Sequence, residues 1–188
     1  MYLTWAGVLL VLGLNVGCAA QSPSKPIESL DDRTGITVAS LREPIELVEI
    51  GTLASGNRSS FAYLGPVDWN RMGEIRYGLW IDVAPGNDQQ VSDIHATGAV
   101  ALLLDDGRVS LNTIDPPQLG QEIYLPAVTW GQSAYFELSA QVLERMAASR
   151  KIELVCRGSN AQEVRFLASH DNHAALKEYV RARRSTTE

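Results

Sequence analysis

The stretch FAYLGPVDWNRMGEIRYGLWIDV, residues 61–83, decides the fold that this sequence predicts. Every second residue from Ile75 to Val83 is apolar, and the side chains between them are mostly polar or small. A period of two is typical of a β-strand with one face in a core. Asn70 to Gly73 separates this strand from an apolar run at residues 61–69 and has the composition of a tight turn. The stretch therefore predicts a β-hairpin.

Strand patterns continue on both sides of this hairpin. Residues 35–41 and 44–50 predict two strands before it, and residues 123–125 predict a short strand after it. Asp105-Asp106-Gly107 predicts a second hairpin, between strands at 99–104 and 108–112, because glycine readily adopts the positive φ that the turn requires. The first two thirds of the chain are thus expected to be β-rich.

The last third predicts helices as well as strands. A strand at 134–138 leads to Ser139, a suitable N-cap for a helix that ends near Ser149. Residues 152–157 and 163–168 predict a hairpin, and a last helix begins near Asp171 or Asn172. The sequence therefore predicts an α+β, mainly β fold: an antiparallel β-sandwich or partly closed sheet, with two C-terminal helices in a β-α-β-β-α tail.

Composition excludes several classes of protein. The chain has 188 residues, 45% of them hydrophobic, which suits one globular domain and excludes a disordered protein. Its net charge of −6 argues against nucleic-acid binding. Two cysteines cannot form a disulfide framework. No apolar run reaches the roughly 18–20 residues that span a bilayer.

The N-terminus has the pattern of an export signal. Residues 1–17 carry no charged side chain, and residues 5–14 form an apolar block of signal-peptide length. Leu14-Asn15-Val16-Gly17-Cys18 resembles a bacterial lipobox. That resemblance implies cleavage before Cys18, attachment of diacylglycerol to its sulfur, and acylation of the new amine, typically with palmitate. Two alternatives remain: cleavage before Gln21, which releases a free protein, and an uncleaved apolar anchor.

The following segment is small, polar and rich in proline, which is typical of a tether. We therefore expect a lipoprotein signal peptide at 1–17, an acylated N-terminus with a flexible tether at 18–33, one globular β-rich domain at 34–184 and a disordered tail at 185–188. The lipid would attach the protein to the membrane of the cell envelope. In a Gram-negative host, Ala19 after the cysteine favours the outer membrane, facing the periplasm.

Two segments resemble a group of proteobacterial lipoproteins. These are Asp32 to Val38 and Pro66 to Gly73, with Arg76, Tyr77, Leu79 and Trp80 downstream. The similarity covers the signal region and about the first half of the mature domain. The group has no assigned activity, so the resemblance implies a location and no chemistry.

Candidate catalytic and metal-binding residues are few. His170 and His173, with Asp171 between them, are residue types that bind zinc or copper. They also lie where a helix cap is expected, and His95 belongs to another loop, so no metal site and no cofactor are predicted. Cys156 shares a strand face with apolar residues and is expected to be buried and structural. Serine-hydrolase, zinc-protease and P-loop motifs are all absent, and no catalytic residue is assigned.

The aromatic residues of the hairpin suggest an interaction surface. Trp69, Arg71, Arg76 and Trp80 lie close together in the predicted hairpin, and Tyr77 and Trp80 point to opposite faces of their strand. Either the sheet is covered on both faces, or one aromatic side chain contacts a partner, such as an envelope protein or polymer. We expect a non-enzymatic envelope module that binds or scaffolds another component. The alternatives are an exported hydrolase and a metal-binding periplasmic protein.

Overall fold

The computed structural model of the protein describes residues 26–50, 60–86, 91–158, 162–168 and 173–185, without the side chains of His173 and Ser185. The strands are β1 (Ile27–Asp31), β2 (Ile36–Ser40), β3 (Ile45–Glu49), β4 (Phe61–Arg71), β5 (Glu74–Ala84), β6 (Val100–Leu104), β7 (Gly107–Ser110), β8 (Thr113–Ile114), β9 (Gln132–Leu138), β10 (Glu153–Arg157) and β11 (Glu163–Ala168). The helices are α1 (Ala140–Ala148) and α2 (His173–Ser185).

The strands form one curled, antiparallel sheet. Its order is β7-β6-β10-β11-β3-β4-β5-β9-β8, and β2 also pairs with β4 while β1 pairs with β2. With 49% strand and 14% helix the fold is mainly β, as the sequence predicts. The predicted β-α-β-β-α tail consists of β9, α1, β10, β11 and α2. Of the two predicted architectures, the single curled sheet is the one observed.

The β4–β5 hairpin is the centre of this sheet. Its strands pair from Phe61 opposite Ala84 to Arg71 opposite Glu74. Only Met72 and Gly73 form the turn, with φ of 53° and 91°, as expected for a two-residue hairpin with the mirror-image turn. Asn70 Oδ1 accepts a hydrogen bond of 2.9 Å from the Gly73 N–H. The predicted hairpin is confirmed, and its strands are longer than the sequence pattern indicates.

The inner face of the sheet carries the main core. Leu79, Ile81 and Val83 of β5 lie in this core, as their alternation predicts. Helices α1 and α2 cover them with buried side chains that include Leu143 and Leu176. Ser139 caps α1 by accepting a hydrogen bond from the Val142 N–H, so the predicted N-cap is confirmed.

The outer face carries a second, smaller core. Val38, Val67 and Trp69 form it together with Ile36, and the irregular segment at residues 115–131 lies across them. Partly buried Leu119 and Ile123 of this segment pack against the cluster. Both faces of the central strands are therefore covered.

Two predictions about which segments form strands are wrong. Ile27–Asp31 forms β1, paired with β2, although the sequence places residues 18–33 in a flexible tether. Three of its five side chains are exposed, so its sequence lacks the apolar alternation of a half-buried strand. The strand predicted at residues 123–125 does not form; Tyr124 instead turns inward, where its hydroxyl bonds the backbone of Leu41 and of Pro66.

Tyr124 bridges a break in the hydrogen-bond ladder along one edge of β4. β2 and β3 pair with successive parts of the same edge of β4, and residues 41–44 between them make no ladder with it. At this break the Tyr124 hydroxyl accepts a hydrogen bond from the Leu41 N–H and donates one to the Pro66 carbonyl, both of 3.0 Å. The ring lies over Gly65, where an added Cβ would come within 2.4 Å of it.

Tyr124→Phe is expected to lower the free energy of unfolding by about 1–3 kcal/mol, since it leaves a buried N–H and a buried carbonyl unpaired. Urea titration followed by circular dichroism measures the change. Tyr135→Phe is the control, because its hydroxyl makes no hydrogen bond with the residues described, and it should stay within about 0.5 kcal/mol of wild type. Equal midpoints for the two variants would contradict the role of the Tyr124 bridge.

Candidate functional site

Of the predicted interaction surface of Trp69, Arg71, Arg76 and Trp80, the two tryptophans are buried. Trp69 and Trp80 are only 2% and 3% exposed, because the segment at residues 115–131 covers the face on which both lie. Arg71 and Arg76 are exposed. Of the two interpretations of the hairpin aromatics, the sheet covered on both faces is the observed one, and an exposed tryptophan contact is wrong.

A cavity lies between the outer face and this covering segment. Its volume is about 230 Å³. The aromatic part of its wall is formed by Trp80 of β5, Tyr135 of β9 and Tyr124. The rest of the lining consists of Pro116, Pro117, Leu119, Gln121, Glu122, Ile123, Pro126 and Ser133. We call this space the outer-face cavity.

The three aromatic rings form a continuous group. Trp80 and Tyr135 are directly opposite each other in the β5–β9 ladder. Tyr124 stacks on Trp80, with 5.1 Å between ring centroids and 28° between planes. Tyr135 also contacts Trp69, with 5.7 Å between ring centroids and 55° between planes. The fold thus fixes these rings before any ligand binds.

The covering segment is also held by the turn after β1. Asp31 Oδ2 accepts a hydrogen bond from the Gly120 N–H, and this bond is the main cause that holds the pKa of Asp31 below its usual value. Arg33 donates a hydrogen bond of 2.8 Å to the Gln118 carbonyl. The segment that bears Tyr124 and Glu122 is therefore bonded to two separate parts of the sheet.

The outer-face cavity is acidic. Glu122 is its charged residue, and the lining contains no lysine, arginine or histidine. Burial raises the pKa of Tyr135 to about 12, and the nearby Glu122 carboxylate adds to the shift. Glu122 itself is exposed and forms no ion pair with any residue in the described ranges. Its charge is therefore available to a ligand.

A buried carboxylate lies next to this site. Asp82 follows Trp80 on the outer face of β5 and is completely buried. Its Oδ2 accepts a hydrogen bond of 2.9 Å from the Ala127 N–H, whereas its Oδ1 has no partner among the residues described. Burial raises the pKa of this carboxyl. An added Cβ at Gly131 would lie 3.0 Å from Oδ1, so the covering segment packs closely around it.

A neighbouring cavity of about 320 Å³ brings together a histidine, a carboxylate and a serine. Its lining includes His95, Asp115 and Ser133, and it shares Pro116, Ser133 and Tyr135 with the outer-face cavity. In the part of the chain that the structure describes, no hydrogen bond joins these three side chains. A nucleophile and base that act together are expected within hydrogen-bond reach, although such bonds can be long without substrate.

The inner face contains a different polar cluster. Asp68 Oδ2 accepts a hydrogen bond of 2.9 Å from the Tyr179 hydroxyl and forms an ion pair with Arg183 Nε at 2.9 Å. Arg183 also pairs with Glu28 of β1. Burial raises the pKa of Asp68, and the Arg183 charge opposes that shift. This cluster connects α2 to strands β1 and β4.

The other sequence candidates do not form a site in the described residues. Cys156 is 1% exposed, and burial raises the pKa of its thiol to about 12, so the predicted buried cysteine is confirmed. Cys18, His170 and Asp171 lie outside the described ranges, and so does the side chain of His173. Within those ranges no three metal-binding side chains cluster. Neither described helix is long and apolar enough to cross a membrane.

Sequence reasoning did not find Glu122, Tyr124 or Tyr135 as site residues. Their signal was the concentration of proline and aromatic side chains between residues 116 and 135. Without the fold, that composition is equally typical of a surface loop.

No protein-family model, curated protein or solved structure matches this chain.

Asp82→Asn is expected to raise the free energy of unfolding at neutral pH by about 1 kcal/mol, because it removes a buried charge and keeps an acceptor for Ala127. Burial raises the folded pKa of Asp82 above the unfolded value of 3.8. The contribution of Asp82 to the free energy of unfolding therefore falls as the pH rises from the unfolded pKa to the folded pKa. Above the folded pKa this contribution is at its lowest. The difference in free energy of unfolding between Asp82→Asn and wild type should grow over this pH range and remain constant above it.

Urea titrations of both proteins from acid to neutral pH measure this difference. Asp32→Asn makes the same change at an exposed carboxylate and should produce no such trend. An Asp82→Asn variant that is less stable than wild type at neutral pH would show that the carboxylate has a stabilising partner.

Proposed function

We propose that the protein is an exported bacterial lipoprotein whose β-rich domain is a non-enzymatic binding module, anchored in the cell envelope through acylated Cys18. The observation that carries the binding role is the outer-face cavity, with its wall of Trp80, Tyr124 and Tyr135. Ligand pockets are typically concave, largely apolar and aromatic, with a few polar groups that orient the ligand. Gln121, Glu122 and Ser133 supply such groups here.

The construction of the cavity also supports binding. Two of its aromatic rings come from paired strands, and hydrogen bonds hold the third at the break beside β4. A site whose walls are already ordered loses little conformational entropy when it binds a ligand. The lining contains one carboxylate and no histidine or lysine, so it offers contacts and orientation more readily than acid–base chemistry.

The sequence features at the N-terminus support the anchor. A lipobox-like Leu14 to Cys18 follows an apolar block, and the described fold starts at Pro26. Residues 19–26 would reach about 30 Å when fully extended, enough to present the domain near a membrane surface. Two or more acyl chains give stable membrane attachment, which one chain does not.

An exported hydrolase is the second candidate, favoured by the cavity that contains His95, Asp115 and Ser133. Hydrolysis of an ester or amide that is lost in Ser133→Ala and in His95→Ala would support it. Turnover that survives both substitutions would reject this site.

The anchor is tested by mass spectrometry of the protein extracted from bacterial membranes. The expected mature chain begins at Cys18 and carries added lipid mass. Cys18→Ser should abolish both the cleavage before residue 18 and the added lipid mass. Cys156→Ala is the matched control, because its buried thiol should not affect acylation. An unlipidated wild-type chain that begins at Gln21 would contradict the anchor.

A further inference from the structure

We propose that the outer-face cavity binds a quaternary ammonium group, such as the trimethylammonium of choline. This inference rests on the proposed function, since it names the ligand of the binding module. It is carried by the combination of three aromatic rings and an unpaired carboxylate in one wall, without a basic side chain.

Aromatic rings attract such a cation. The face of a tryptophan or tyrosine ring is electronegative, and several rings around one cation form the aromatic cages that recognise methylated amines. Here Trp80 stacks on Tyr124 and lies opposite Tyr135 in the ladder, and the three side chains line the same space. A site for an anion would present arginine or lysine instead.

The charge of the site points in the same direction. Glu122 lines the cavity and lies close enough to Tyr135 to affect its hydroxyl. Asp115 lines the adjoining cavity, and both carboxylates are exposed without an ion pair in the described ranges. Arg33 and Arg42 line a separate cavity that shares Glu122, and neither lines the outer-face cavity. Within the outer-face cavity, a cation would therefore meet a negative side chain and no positive one.

The type of cation follows from the side chains that the lining offers: Gln121, Glu122 and Ser133 can accept hydrogen bonds, and most of the others are rings, prolines and aliphatic groups. A primary ammonium carries three N–H donors, each of which needs an acceptor when it leaves water. A quaternary ammonium has none, and its methyl groups can contact rings and prolines directly. Beside the rings, Pro116, Pro117 and Pro126 provide such contacts. The lining therefore favours a methylated cation over a lysine-like one.

The test uses the full chain with Cys18→Ser, so that no lipid is attached, and titrates it with choline chloride. Binding is followed by calorimetry and by the NMR signal of the Trp80 indole. The matched ligand is 3,3-dimethyl-1-butanol, which has the shape of choline without its charge. Choline is expected to bind about tenfold more tightly than this alcohol.

Two pairs of variants locate the site. Glu122→Gln should weaken choline binding several-fold, whereas Glu137→Gln, the same change at an exposed side chain of β9, should not affect it. Tyr135→Leu removes a ring of the site and should lose at least fivefold in affinity, whereas Phe61→Leu, at an exposed ring that does not line the cavity, should not affect binding. Sedimentation with phosphatidylcholine vesicles, compared with phosphatidylglycerol vesicles, then distinguishes a lipid headgroup from free choline as the source of the cation.

Equal binding of choline and the uncharged alcohol would overturn the inference, and so would an unchanged affinity in Glu122→Gln or no response to choline. If a neutral saccharide shifts the Trp80 signal when choline does not, the ammonium inference fails and the binding module remains. An unlipidated wild-type protein would instead contradict the anchor and leave the choline result unaffected.

Discussion

Strand β4 has buried side chains on both faces, and most other features of the molecule follow from this constraint. Leu64 and Asp68 point inward, while Val67 and Trp69 point outward, and all four are excluded from solvent. An antiparallel sheet with only one covered face would leave one of these sets in water, at a cost of about 25 cal/mol for each Å² of apolar surface. The chain therefore supplies two covers: α1 and α2 on the inner face, and the segment at residues 115–131 on the outer face.

The two covers are fastened by different chemistry. On the inner face, Asp68 bonds Tyr179 and Arg183, so α2 is fixed by a charged, directional contact in addition to its apolar packing. A buried ion pair contributes little net stability, but removal of one partner is costly, which favours one position of the helix over others. On the outer face, the covering segment is fixed by two neutral hydrogen bonds of Tyr124 at the break beside β4. An irregular segment can cover a sheet because a few of its groups replace missing ladder bonds.

The sequence predicts the strands more reliably than what covers them. Alternation at residues 75–83 identified β5 and its inward face, since a period of two is a local property. The same pattern showed that Tyr77 and Trp80 point to opposite sides, but not that residues 115–131 fold over Trp80. That contact joins residues more than thirty positions apart and depends on the hydroxyl of Tyr124, which no periodicity reports. β1 was missed for a related reason: with mostly exposed side chains it is defined by its pairing with β2, not by its own pattern.

The outer-face cavity is a consequence of covering a sheet with a loop. Prolines at positions 116, 117 and 126 cannot donate backbone hydrogen bonds, so the segment cannot form another strand on the sheet edge or pack as regularly as a helix. Space remains between it and the flat rings of Trp80 and Tyr135. The Tyr124 hydroxyl both accepts and donates a hydrogen bond, which fixes the position of this residue. Glu122 lies two residues before it, so the position of the Glu122 carboxylate in the cavity depends on the same two hydrogen bonds. A ligand held by Glu122 and these rings would bind only the folded arrangement, and it would stabilise that arrangement by RT ln(1 + [L]/Kd), where [L] is the free ligand concentration.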